Sequence, residues 1–338
     1  MGKGAATKRA TRRVRMAITN YELRITSLKR KINILAFLYL FCVSAGSSFG
    51  QDFVVTQTQI DWIAEEIFLK RRIQSGNNEQ KRDALLQIRN LKTEPASRIA
   101  IPALRDKSEI VRATAAFSVI FLPKDEASNV LIPLLNDKKE LVRREAAYAL
   151  GKVRNPNAIN SLLEILQKDK ILEVRAASVV ALGEIGDVSA VAELVKILQR
   201  KPKDEEEFLR RSVARSVGQI AQIIQTQETE VLTPENYLPD RFNSLKKLKY
   251  LNLIETFMEF RTANDILIKT LQNPRESDDV KREAAFALGA IGDELSIPVL
   301  QANLNSKDYY LAEISKEALE KIQFAKNARN NKKLEGNL

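Results

Sequence analysis

The stretch VRREAAYALG, residues 142–151, returns as VRAASVVALG at 174–183 and as VKREAAFALG at 280–289. With the first residue of each stretch as an anchor, the register extends to Gln80, Val111, Val142, Val174, Leu209, Val280 and Leu311, at spacings of 31, 31, 32, 35, 71 and 31 residues. A self-similar period in the thirties marks stacked units, none of which can bury its apolar face alone. The 71-residue interval has room for two units. A degenerate one is therefore expected to begin near Lys247 and run through LNLIETFMEF and ANDILIKTLQ, giving seven readable repeats and one cryptic repeat.

Each unit carries two apolar stripes at helical spacing. In the Val142 unit the first is Val142, Ala146, Ala149 and Leu150, and the second, after RNPN, is Ile159, Leu162, Leu163, Ile165 and Leu166. The unit is thus a helix pair. Asn155 stands where an N-cap is needed, with Pro156 in the first helical position, and Asp187 and Asp293 fill the same column elsewhere. Gly186 and Gly292 suit the left-handed residue that ends the preceding helix. Ala146, Ala147, Ala149, Ala284, Ala285 and Ala287 keep the motif helix thin, so that its neighbours can approach closely.

VRREAAYALGKV, VRAASVVALGEIGD and VKREAAFALGAIGD resemble the short HEAT-like repeats named after phycobilisome lyases, within the HEAT and armadillo class. The resemblance covers roughly residues 80–325 and implies an all-α solenoid, a superhelix of about seven to eight helix pairs with the motif helix lining the concave side. It leaves function open, because such repeats serve scaffolds, adaptors and a few enzymes. Deoxyhypusine hydroxylase, which uses similar repeats, holds iron through His-Glu motifs, and the absence of any histidine here excludes that reading. A bilin lyase acts on a cysteine of its partner, so an accessory factor working on a partner protein's cofactor is the alternative function.

Residues 1–33 hold ten Lys/Arg and one acid, Glu22, so they supply +9 of the net +11. About +2 remains for residues 34–338, which argues against a phosphate-binding surface spread over the body, and no nucleic acid is expected as a partner. The basic segment leads into INILAFLYLFCV, residues 32–43, and then the small residues SAGSSFGQ. These are the three parts of a secretory signal peptide. Residues 1–50 are read as a leader, cut after Ala45 or Gly50, and the protein as exported to the periplasm or outside the cell. The alternative is an anchor through residues 32–43, the one case in which membrane contact is expected. Loss of the leader removes Cys42, the single cysteine, and no histidine is present. Thiolate nucleophiles, Cys/His zinc sites and Ser-His-Asp triads are thereby excluded, and no catalytic residue, metal or cofactor is expected.

Residues 51–325 form the expected solenoid, interrupted by a loop at 225–244 whose Tyr237, Leu238 and Phe242 offer apolar grip. Residues 57–74 read as a capping helix with Ile60, Ile63, Ile67 and Phe68 inward and Trp62 beside them, and residues 326–338 as a frayed polar tail. The first column after the anchor, Arg112, Arg143, Arg175 and Arg210 with Lys281 later, is expected to bind turn acids such as Asp187 and Asp293 or helix-end carbonyls, tying repeat to repeat. Function is sought in the more variable second and sixth columns. There Phe117, Arg144, Tyr148, Arg211, Arg215, Arg282 and Phe286 interleave aromatic and cationic side chains, as a groove for another protein or peptide would.

Overall fold

Short polar signals between apolar runs set the helix ends. Asn155 accepts a hydrogen bond from the Asn157 amide (3.0 Å), Asp187 from Ser189 (2.9 Å) and Asp293 from Leu295 (3.3 Å), each opening the second helix of a pair. The preceding helices end on left-handed residues, Gly186 (φ 78°) and Gly292 (φ 77°), and on Arg154 (φ 55°) where no glycine is present.

The computed structural model describes residues 57–226 and 251–335, so the leader at 1–50, Tyr237, Leu238, Phe242 and Lys247 lie outside the described residues. The chain divides into two compact units, residues 1–91 and 92–338. In the first, α1 (Gln57–Ser75) packs on α2 (Asn78–Leu91). Asn77 and Gln80 cap the second helix reciprocally, the Gln80 amide donating to Asn77 at 2.9 Å and the Asn77 amide to Gln80 at 3.2 Å. The buried stripe of α1 is Ala64, Leu69 and Ile73, which corrects the expected face: Ile63 and Ile67 are 42% and 48% exposed. The helix is apolar on more than one side, so pattern alone allows two stripes and packing selects one. Phe68 is half-buried beneath the Arg72 guanidinium, and Trp62 is half-buried as well.

In the second unit the helices alternate between two layers. One layer contains the motif helices α4 (Glu109–Ser118), α6 (Glu140–Val153), α8 (Leu172–Ile185), α10 (Glu207–Thr226), α13 (Asp278–Ile291) and α15 (Tyr309–Glu335), each packed on the next. The other contains α3 (Glu94–Ala100), α5 (Lys124–Leu131), α7 (Ile159–Lys168), α9 (Val191–Leu198), the single turn α11 (Leu253–Thr256), α12 (Met258–Gln272) and α14 (Ile297–Ala302). Among the described residues there is no strand, and no helix is long and apolar enough to cross a membrane.

The motif helices touch through their smallest residues. A Cβ placed on Gly151 would lie 2.8 Å from the Ala181 Cα, and one on Gly289 would lie 2.8 Å from the Ala318 Cα. Backbone cannot move aside as a flexible side chain can. At Gly151 and Gly289 the glycine of ALG is therefore a steric requirement of the stack.

Two expectations change. The cryptic repeat does not exist as a stacked unit, because α10 packs directly on α13, with Gly218 against Phe286 and Ala287. ANDILIKTLQ lies in α12, which bridges α9 and α13, so the long interval is one repeat enlarged by an insertion. The buried Gln225 side chain clasps both feet of that insertion, donating to the Leu251 carbonyl and accepting from its amide, each at 2.9 Å. At the other end, α15 continues to Glu335 where fraying was expected, and Arg329 donates to the Gly292 carbonyl at 3.0 Å.

Gly289→Leu is expected to destabilise the protein by about 1–3 kcal/mol through overpacking against backbone, outweighing the roughly 1 kcal/mol gained in helix propensity. Thermal unfolding followed by circular dichroism measures it; an unchanged transition would show that the helices can separate freely.

Candidate protein-binding face

The first-column arginines are consumed by the stack. Arg112 forks the carboxylate of Asp137 with two bonds of 2.8 Å while its third nitrogen donates to the Asp106 carbonyl. Arg143 repeats the arrangement one unit on, with bonds of 2.6 and 3.0 Å to Asp169 and one of 3.0 Å to the Asp137 carbonyl. Each guanidinium thus holds the turn of its own repeat and the turn aspartate of the next. Arg175 donates to the Leu166 carbonyl at 2.9 Å and lies 3.9 Å from Glu206. The acids that sequence proposed, Asp187 and Asp293, do not take part: Asp187 caps its helix, and Asp293 caps its own while also accepting from Asn264 at 2.7 Å.

At Arg210 the pair goes fully inside, where the side chains of Arg210 and Glu276 are 1% and 2% exposed. Arg210 forks Glu276 and also caps the carbonyls of Ile197 (2.8 Å), Leu198 (3.2 Å) and Arg200 (3.1 Å). In the Val280 repeat the role moves by one residue. Lys281 sits 3.7 Å from Asp278 on its own helix, and Arg282 makes the bidentate bond to Asp308. A lysine ammonium cannot reproduce a planar fork.

Burial opposes ionisation of Asp137 and Asp169. The arginine forks and the amides of Lys139 and Ile171 outweigh it, so both carboxyls titrate below the usual carboxylate range. The Arg282 fork, against a smaller burial penalty, does the same for Asp308. Burial shifts Asp293 the other way, upward.

Those roles decide which candidate side chains remain for a partner. Phe286 is 4% exposed, lying in the gap left by Gly218 with Lys321 over its ring, so it is a packing residue. Arg211 pairs with Asp279 (3.5 Å) and Arg215 with Glu283 (3.7 Å), two ion pairs from α10 to α13. Arg282 is held by Asp279, Asp308 and the Tyr310 ring. The second column is not an open face throughout, since Ala113 and Ala176 are buried. Phe117, Tyr148 and Val180 are half-buried at the same position of the successively packed α4, α6 and α8. Arg144, bonded to Glu145 at 3.0 Å, and the Lys152–Glu184 pair (2.5 Å) lie on those helices too. Burial raises the Tyr148 phenol's pKa, so its hydroxyl stays protonated. Among the described residues, no group of three or more acidic side chains could hold a metal ion.

The partner acids were missed at the sequence level, although they left a signal: an aspartate five residues before the anchor recurs at Asp106, Asp137, Asp169 and Asp204.

Two family models match parts of the chain. The family model of HEAT repeats matches residues 97–182, and that of the PBS lyase HEAT-like repeat matches 174–200 and 280–306. Residues 97–200 and 280–306 are thus HEAT-like repeats, set in an all-helical stack. Similar solved structures include the complex of CpcE and CpcF of phycocyanin lyase from Nostoc sp. PCC7120, with 18% identity, 85% of this chain and 99% of that one covered, and a TM-score of 0.42. Human deoxyhypusine hydroxylase in complex with glycerol shares 19% identity over 77% of this chain and 96% of that one (TM-score 0.33). A designed armadillo repeat protein in complex with the peptide (KR)4 shares 18% over 75% and 98% (TM-score 0.37). No curated protein sequence matches the chain.

Removing the buried cation in Arg210→Ala leaves Glu276 and three carbonyls without their donor, an expected loss of about 3–5 kcal/mol by urea unfolding. A loss below roughly 1 kcal/mol, the value of an exposed pair, would contradict the assignment. The depressed Asp137 and Asp169 carboxyls contribute stability that is complete above the ordinary carboxylate pKa of about 4 and lost as pH falls through their lower folded values. Asp169→Asn should therefore flatten the acid limb of a melting-temperature profile.

Proposed function

We propose that this protein is a non-enzymatic binding scaffold, exported to the periplasm or outside the cell, that holds another protein or peptide on the motif-helix face of its N-terminal repeats. The observation that carries the reading is the column Phe117, Tyr148 and Val180: half-buried apolar positions on three successively packed helices, with Arg144 beside them. A strip with one contact per repeat suits an extended partner, and partly desolvated aromatics on a rigid support lose little entropy on binding. Farther along the stack, Arg211, Arg215 and Arg282 serve intramolecular pairs and Phe286 serves packing, so the proposed face is the N-terminal half of the one expected from sequence. Export rests on the basic and apolar leader of residues 1–50.

The match of two units to the PBS lyase HEAT-like repeat favours a second reading, an accessory factor acting on a partner protein's cofactor. Pigment copurifying with the chain would select it.

Crosslinking and affinity capture from the native envelope test the first reading, with N-terminal sequencing of the recovered chain to locate the cut. Phe117→Ala with Tyr148→Ala should weaken partner retention about tenfold or more, as expected for a loss of about 1.4 kcal/mol or above. Retention unchanged in that variant, but lost on substitution of exposed residues of α7 and α9, would move the site to the other layer.

A further inference from the structure

Between the turn that follows α9 and the end of α12 lies a cleft of about 710 Å³. Its walls carry Arg200, Lys201, Lys269 and Arg275, together with the polar Thr270 and Asn273, and no carboxylate. All four cations are exposed, and none has an ion-pair partner among the described residues. The acids close by in sequence, Asp265 included, do not line it. Glu276 is buried in the Arg210 fork, and Asp204 and Glu205 form the turn that opens α10 without lining the cleft.

This charge is not a property of the repeat. The equivalent cleft two units earlier, about 290 Å³ between residues 132–136 and the end of α7, holds Arg143 and Lys168 balanced by Asp169 and Glu164. Nor does it reflect a generally basic body, since residues 34–338 carry only about +2. Four like charges around one concavity repel one another and concentrate a positive potential where low-dielectric walls focus it. Such an arrangement is relieved by an anion with several carboxylates.

We propose that this cleft binds an acidic peptide segment, a run of Asp or Glu on a partner protein, independently of the motif-helix face. The cations come from the turn after α9 and from the end of α12 with the turn that follows it, in neighbouring repeats, which favours an extended polyanion over a single small ion. Thr270 spends its hydroxyl proton on the Ile266 carbonyl, so the cations supply the attraction and Thr270 shapes the wall.

Fluorescein-labelled octaglutamate added to the full-length protein at low ionic strength tests the assignment by anisotropy. Saturable binding is expected, falling steeply as salt shortens the screening length to about 8 Å at physiological strength. Lys269→Glu with Arg275→Glu should weaken it about tenfold or more with an unchanged thermal transition, these positions being exposed. Lys168→Glu, in the balanced cleft, should leave it unaltered. Equal loss in Lys168→Glu would mean diffuse surface charge and overturn the proposal, as would the absence of saturation. Inorganic phosphate or an oligoribonucleotide binding at the same residues while octaglutamate does not would also overturn it, in favour of a small-anion or nucleic-acid site.

Discussion

The second unit of this protein depends on one repeated interaction, an arginine fork that closes on a carboxylate in the next repeat while donating to carbonyls of its own. Arg112 and Asp137, Arg143 and Asp169, and Arg210 and Glu276 are three versions of it, and Arg282 varies it by forking Asp308 while its third nitrogen donates to the Asp279 carboxylate. A solenoid has no contacts between distant repeats, so its stability is a sum of unit and nearest-neighbour terms. Apolar packing between thin, alanine-rich helices supplies most of the attraction but little registration, because small residues present nearly featureless surfaces. A planar, bidentate pair is directional and fixes how one repeat sits on the next. The glycines complement it: they allow the approach that the forks then lock.

Occupation of these side chains by the stack determines what the surface can do. Sequence placed aromatic and cationic residues on one face along the array, and the structure divides them. From α10 onward the arginines are tied to α13 or α15, and Phe286 fills the space above Gly218. In the earlier repeats, the same column leaves Phe117, Tyr148 and Val180 half-buried. Recognition and assembly compete for the same positions, and the balance changes along the chain.

Local features were legible in the sequence because their causes are local. Asn155, Asp187 and Asp293 announce helix starts through their own side chains, and Gly186 and Gly292 announce helix ends through backbone conformations that other residues resist. Features arising from a neighbour were not. The acids that receive the arginines belong to the adjacent repeat, and the burial of Phe286 is decided by a glycine on another helix. The stripe of α1 is chosen by packing among several apolar options. The enlarged interval resembled two repeats because α12 carries ordinary helical periodicity, and only the direct contact of α10 with α13 reveals the count. In the proposed site, the legible part was residue type; exposure depended on tertiary pairing.

The Gln225 clasp has an implication for how such a chain can change. Since both feet of the excursion are fixed at one amide side chain, the stack does not register how much polypeptide passes between them. Closing a longer excursion costs only a logarithmic increment of entropy, roughly 0.6 kcal/mol for each doubling. The junction is therefore a port in the architecture: a whole foreign module could be spliced there, or the chain divided into two complementing fragments, with the register of the flanking repeats preserved.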